Sequence, residues 1–378
     1  MTSIIVHHIP ALSGDCFLIE PDNGKCILID CGYASTYRDE LKSLLVRLNG
    51  KGCRVALMII THIDDDHIGG AIPLIQDNGD AGNPQIIPID NIWFNGLYDL
   101  CTGSPALCSH IVKELPEESD YRVSMLHKQM IRLIGSGDGW ISATKSESFE
   151  KLCASFHYHV NDTMAGESID LDGCSVRVLS PGMKEIKSFE NWIDTNLVQQ
   201  LGGNYKLQND NFLEFVIDMV MILGREDESY VESQYISAVT ESPDDWINTS
   251  SLAEMNSVNR ASIVVDIRYK GISLLFTGDS ESMDWIEKAD KNYDLVKISH
   301  HGTTKPNLAL LNHIHMSKAV ISANGSKGHP EKELLARLIK NGVNDIYFDY
   351  DVRQKENLLA WQIRYGCTVH FCEREIML

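Results

Sequence analysis

Apolar positions along this chain fall into short blocks separated by turn residues, with a few longer stretches at helical spacing. The blocks predict strands over Ile4–Ile9, Cys16–Glu20 and Cys26–Asp30, joined through Ser13-Gly14-Asp15 and Pro21-Asp22-Asn23-Gly24. Leu41, Leu44, Leu45 and Leu48 recur with the period of a helix, which Asn49-Gly50 would end. The continuous run Val55–Ile60 predicts a buried strand. Further strands are expected over Asn91–Asn95, Gly173–Leu179, Ala261–Ile267, Ile272–Thr277, Asp294–Ile298 and Ala319–Ser322, and near 345–348 and 368–372. A hairpin is expected at Tyr269-Lys270-Gly271, and helices over Val123–Ile134 and 331–341. Strands and helices thus alternate in two β-rich halves, roughly 1–180 and 257–378, which predicts an α/β fold of the αββα sandwich type. The pattern loses its period over roughly 78–165 and 183–256, read here as insertions into a single domain spanning 1–378.

Composition narrows the picture. The 378 residues are 43% apolar and 23% charged, as in an ordinary globular enzyme. No run of 18 apolar residues occurs, so no membrane span or membrane partner is expected. The first residues lack the basic and apolar regions of a cleaved signal, and the ten cysteines form no CxxC pair. Both point to a reducing, cytoplasmic setting. A net charge of -20 argues against broad, sequence-blind binding to DNA, which needs basic surface. The acidic stretch from Arg225-Glu226-Asp227-Glu228 to Asp244-Asp245, with Tyr230, Tyr235 and Trp246, reads as a solvated face. A surface for a protein partner is the alternative.

The chemistry concentrates in Thr61-His62-Ile63-Asp64-Asp65-Asp66-His67-Ile68-Gly69-Gly70, directly after the strand 55–60. Three aspartates this close repel one another unless a cation sits among them. The paired glycines let a helix begin close against the sheet. Other strand ends carry Asp30, Asp279, His300-His301 and, more loosely, His329. Ligands drawn from several strands to one sheet edge are a common way to build a metal pocket. His62 and Asp64 alternate along an extended loop and can reach one ion; Asp66 and His67 can reach a second, with Asp279 placed to bridge. Asp30 suits either orienting a ligand by hydrogen bonding or shaping a turn. His157 and His159, two apart, would share one face of a strand, whereas His110 and His127 read as ordinary surface or satisfied histidines.

The 62–67 loop resembles the HxHxDH signature of metallo-β-lactamase-fold hydrolases, with Asp64 where the second histidine usually stands. Ser13–Cys16 and Cys26–Gly32 resemble the opening hairpins of that fold. Asn259–Ser262, Leu275–Asp279, Val296–Thr303 and Gly328–Glu331 are similar to the hydrolase domain of ComEC competence proteins. The resemblance implies two divalent ions, zinc or manganese with magnesium as a further candidate. The implied ligands are His62 and Asp64, then Asp66, His67 and His301, with Asp279 between. The third histidine of the family should fall at the end of the strand 174–179, where this chain has Ser180, so the first ion is expected to be the weaker. His300 would then contact phosphate or donate a proton. The implied chemistry is hydrolysis by metal-activated water, with Asp30 or Asp66 orienting the nucleophile and His300 or His329 protonating the leaving oxygen. The added carboxylate at 64 favours harder ions and phosphodiester substrates, nucleic acid or nucleotide. An ester or lactone hydrolase of the same fold, or a partner-binding subunit, are the rival readings.

Overall fold

In the computed structural model, residues 3–96, 142–189, 191, 241–249 and 255–378 are described. The expected helix Val123–Ile134, His110, His127 and the acidic stretch up to residue 240 lie outside them.

The strands are β1 Ile4–His8, β2 Phe17–Pro21, β3 Lys25–Ile29, β4 Arg54–Ile60, β5 Ile92–Phe94, β6 Val160–Asn161, β7 Ser168–Asp170 and β8 Ser175–Ser180 in the first half. The second half holds β9 Val264–Tyr269, β10 Ile272–Phe276, β11 Asn292–Lys297, β12 His315–Ile321, β13 Asp345–Phe348, β14 Thr368–Phe371 and β15 Glu375–Met377. They form two sheets, ordered β15-β1-β2-β3-β4-β5-β6 and β14-β13-β12-β11-β10-β9-β8-β7. Each sheet begins with antiparallel hairpins and continues in parallel strands. The hairpin β9–β10 turns through Lys270 and Gly271, both at positive φ, and pairs Tyr269 with Ile272, the two-residue turn that suits strand twist.

The core explains the layering. Val6, Ile19, Ile27, Leu57 and Ile59 of the first sheet pack against Val176, Val265, Ile267, Leu274 and Leu295 of the second. The outer faces are covered by helices. Lys42–Gly50, Ala71–Asn78 and Ser142–Ser155 cover one, and Leu308–His313, Lys332–Lys340 and Lys355–Tyr365 cover the other. Strands buried on both faces read as unbroken apolar runs, which is why β4 was legible. The sandwich is therefore αββα, as expected.

Two local expectations differ. The 157–159 segment is no strand: the helix ends at Ser155, His157 sits at positive φ, and its exposed ring pairs with Asp80 at 2.6 Å. The last part of the acidic stretch is docked rather than solvated. Trp246 is buried with its ring 4.4 Å from Trp361, and Glu241 and Asp244 pair with Lys332 and Lys340 of the neighbouring helix. Among the described residues, no helix is long and apolar enough to cross a membrane, and all eight cysteines are free.

Candidate metal centre

Three loops at one edge of the first sheet are bound into a single floor. Asp15 N donates to the Asp66 carbonyl at 3.1 Å, Gly32 N to the Asp15 carbonyl at 2.8 Å, and Cys31 N to the His67 carbonyl at 2.8 Å. A Cβ on Gly14 would collide with the Asp66 carbonyl, and one on Gly70 with the Cys31 carbonyl. Glycine at these two positions lets the backbones touch. The second sheet joins through Ile263 N, which donates to the Thr61 carbonyl at 2.9 Å.

Onto this floor the strand ends of both sheets deliver their side chains. His62, Asp66 and His67 follow β4, Asp279 follows β10, and His301 follows β11; all five are buried. His301 Nε2 lies 3.2 Å from Asp279 Oδ2 and 3.6 Å from Asp66 Oδ2. His67 Nε2 lies 3.5 Å from the same Asp279 oxygen and 4.0 Å from Asp66 Oδ1. Atoms about 2 Å from a shared tetrahedral ion stand roughly 3.3 Å apart, so this ring has the dimensions of one coordination sphere. His62 joins His67 and Asp279 in a second, overlapping group.

Hydrogen bonds decide which nitrogen each imidazole presents. Asp30 Oδ2, which can only accept as a carboxylate, takes the Nδ1–H of His67 at 2.8 Å. The Ser322 carbonyl takes that of His301 at 3.1 Å. Thr61 spends its one hydroxyl proton on Asp30 at 2.8 Å, so it accepts from His62 Nδ1 at 3.1 Å. All three rings therefore turn Nε2 into the same space, fixed from behind as metal-binding histidines usually are. Asp30, His300 and His301 hold positive φ, a strained conformation for non-glycine residues that gathers at functional sites.

The remaining expected residues sit around this ring. Asp64 opens the helix Asp65–Ile68 and lies 3.6 Å from His62 Nε2, with its side chain 30% exposed. The geometry groups it with His62 and not with the Asp66–His67–Asp279–His301 ring. His300 is half-buried beside His301, and its ring is 5.8 Å from that of His329. Ser180 ends β8 as expected; its buried hydroxyl has no hydrogen-bond partner among the described residues.

Two charged residues that sequence reasoning passed over complete the centre. Asp15 points Oδ1 at His301 Nδ1, 3.6 Å away, and Lys297, at the end of β11, is buried between Asp15 and Asp279. A lysine closing the otherwise apolar Leu295-Val296 was the available signal; a Gly-Asp turn is locally ordinary.

The charge balance follows from these contacts. Four buried carboxylates, Asp15, Asp30, Asp66 and Asp279, share one buried ammonium. Burial disfavours charged imidazole, but Asp279 and Asp30 outweigh it at His67 and hold its pKa well above the usual range. At His301 the same contest, with Asp279 and Asp15 opposing burial, ends at about 10. Burial would raise Asp279, yet His301, His67 and Lys297 hold it well below the usual carboxylate value. Lys297 likewise overcomes burial at Asp15 and pulls it down to about 2.

Among the described residues, the buried Nε2 atoms of His62 and His67 and the Oδ1 of Asp15 find no hydrogen-bond partner. Buried polar atoms normally find a partner. The two Nε2 atoms, grouped with Asp279 among buried carboxylates, fit a divalent cation that takes the place of a proton.

An α/β sandwich with a His/Asp cluster at its strand ends is the architecture of the metallo-beta-lactamase fold. Residues 9–82, which include Asp15, Asp30 and His62 through His67, match the model of the metallo-beta-lactamase superfamily. No curated protein matches the chain in sequence. Similar solved structures include YhfI from Bacillus subtilis, a metallo-beta-lactamase fold protein, at 10% identity and a TM-score of 0.41, covering 99% of each chain. Zn(2+)-bound PqqB from Methylobacterium extorquens is 9% identical, with a TM-score of 0.41 over 96% of this chain and 87% of its own. The diiron beta-hydroxylase CmlA from Streptomyces venezuelae is 10% identical, with a TM-score of 0.39; this chain is covered fully and spans 54% of CmlA.

Proposed function

We propose that this protein is a metal-dependent phosphodiesterase acting on nucleic acid or a nucleotide-sized substrate, with two divalent ions, zinc or manganese. The observation that carries the reading is the ring of Asp66, His67, Asp279 and His301, with His62 adjoining and the buried Nε2 atoms of His62 and His67 without a hydrogen-bond partner among the described residues. Its carboxylate share favours hard ions and phosphoryl oxygens over the softer, histidine-rich alternative. The resemblance of residues 259–262, 275–279, 296–303 and 328–331 to ComEC hydrolase domains supports the substrate class.

The ring would hold the better-bound ion, and His62 with Asp64 and one oxygen of Asp279 the weaker. Bound there, divalent cations lower the pKa of water and polarise the oxygen of the bond to be cleaved. The chain's own groups do the rest. Asp30 fixes His67 through Nδ1, and the Ser322 carbonyl fixes His301. His300, oriented by its 3.1 Å contact with Thr303 Oγ1, and His329 beside it stand next to the ring, placed to hand a proton to the leaving oxygen. Lys327, on the exposed loop, reaches to 3.7 Å from Asp66 and adds positive charge for an anionic substrate.

The test is a substrate panel assayed with manganese or zinc: bis-p-nitrophenyl phosphate, single- and double-stranded DNA, RNA, and carboxylic esters and lactones. Cleavage of a phosphodiester faster than any ester supports the reading. Esters or lactones turned over faster would replace it with the ester-hydrolase reading of the same centre.

A further inference from the structure

Lys297 is 1% exposed at the end of β11, and lysine is almost never buried so completely without partners. Its ammonium has three, one for each N–H. Nζ donates to the Gly278 carbonyl at 2.8 Å, lies 3.4 Å from Asp279 Oδ1, and pairs with Asp15 Oδ2. The lysine thus grips one oxygen of each of two carboxylates. In both cases the other oxygen is the one that faces imidazole: Asp279 Oδ2 toward His67 and His301, and Asp15 Oδ1 toward His301. Thr277, which precedes the Gly278 carbonyl, is itself tied by its hydroxyl to the Lys297 carbonyl at 2.8 Å, so the ends of β10 and β11 are clasped twice.

We propose that Lys297 is a positioning residue of the metal centre: it occupies Asp279 Oδ1 so that Asp279 offers a single oxygen, Oδ2, to the cation. This rests on the metal-binding reading above. The competing role is plain charge compensation, with Lys297 serving only to neutralise buried Asp15. The two roles separate when both members of that pair are removed. Lys297→Met together with Asp15→Asn leaves no unpaired charge between lysine and Asp15, but leaves Asp279 ungripped.

Cobalt(II) alone is the probe, added to the full chain after chelator treatment, with affinity from titration and ligand geometry from the visible d–d spectrum. Positioning predicts cobalt affinity roughly 10–100-fold weaker in the double variant than in Asp15→Asn alone, and a spectrum altered from that of Asp15→Asn, as for loss of a group that orients a ligand. Its metal-free melting temperature should stay closer to wild type than that of Lys297→Met alone. A double variant with the affinity and spectrum of Asp15→Asn alone would overturn the inference. If that double variant does not fold, Lys297→Leu with Asp15→Asn takes its place and is read in the same way. A wild-type protein that takes up no cobalt overturns the metal reading itself, and this inference with it.

Discussion

At the scale of single residues, Asp30 is a buried carboxylate engaged with its own loops. It accepts from Thr61 N, Thr61 Oγ1 and His67 Nδ1, each at 2.8 Å, and so orients two neighbours. Asp30→Asn should fold but weaken metal binding roughly 10–100-fold, read by competition with a chromophoric chelator. A different buried acid, Asp349, contributes to the pH response. Asp349 is enclosed with Ser322 and the Ala323 amide, and His8 and Asp15 lie nearby. Burial raises its pKa from 3.8 to about 7 despite those hydrogen bonds. A raised acid favours the fold fully below the unfolded pKa and loses that contribution as pH climbs through the folded one. The wild type should therefore lose stability relative to Asp349→Asn between pH ~4 and 7, as measured by parallel thermal melts. His8, pushed down to about 3 by burial, acts in the opposite sense but is common to both proteins.

At the scale of elements, the site depends on loops touching. Gly14→Ala places a methyl against the Asp66 carbonyl, a clash that costs about 1–3 kcal/mol when a packed backbone must shift. The variant should melt lower and retain less metal, the second effect being the more telling. The loops after β4 and β11 also differ in what they hold. His301→Ala breaks the four-membered ring, whereas His62→Ala touches only the adjoining group. Metal analysis should show the first variant losing the tighter ion and the second losing only the weaker.

The same scale shows what sequence could and could not reveal. The ligands after β4 were legible because carboxylates crowded at the end of an apolar run repel one another until a cation joins them. Asp279 and His301 were legible as polar residues ending predicted strands. Asp15 and Lys297 were not, since each looks ordinary until tertiary pairing brings β1–β2, β10 and β11 together. Short strands were missed for a related reason: β15 exists because it pairs with β1 at the far end of the chain. The helix Lys355–Tyr365 buries only Leu358 and Trp361, too few apolar positions to announce a period.

At the scale of the whole molecule, two sheets with opposite helical covers leave one edge where strand ends from both halves meet. The αββα sandwich is thus a device for assembling carboxylates that no single segment could hold together. The -20 charge and the buried carboxylates would oppose a polyanionic substrate unless bound cations and residues such as Lys327 reverse the field locally. Activity should accordingly depend on added divalent ions and fall with rising salt more steeply for nucleic acid than for a small phosphodiester.

On the proposed function, the ring of Asp66, His67, Asp279 and His301 binds metal and that metal supports phosphodiester cleavage. The most direct measurement is metal content of the purified chain, coupled to its activity on the substrate panel, for wild type and Asp66→Ala. Wild type should carry zinc or manganese and cleave a phosphodiester, and Asp66→Ala should fold, lose metal and lose nearly all activity. An Asp66→Ala protein that keeps both, or a metal-loaded wild type that leaves every phosphodiester intact, would contradict the account.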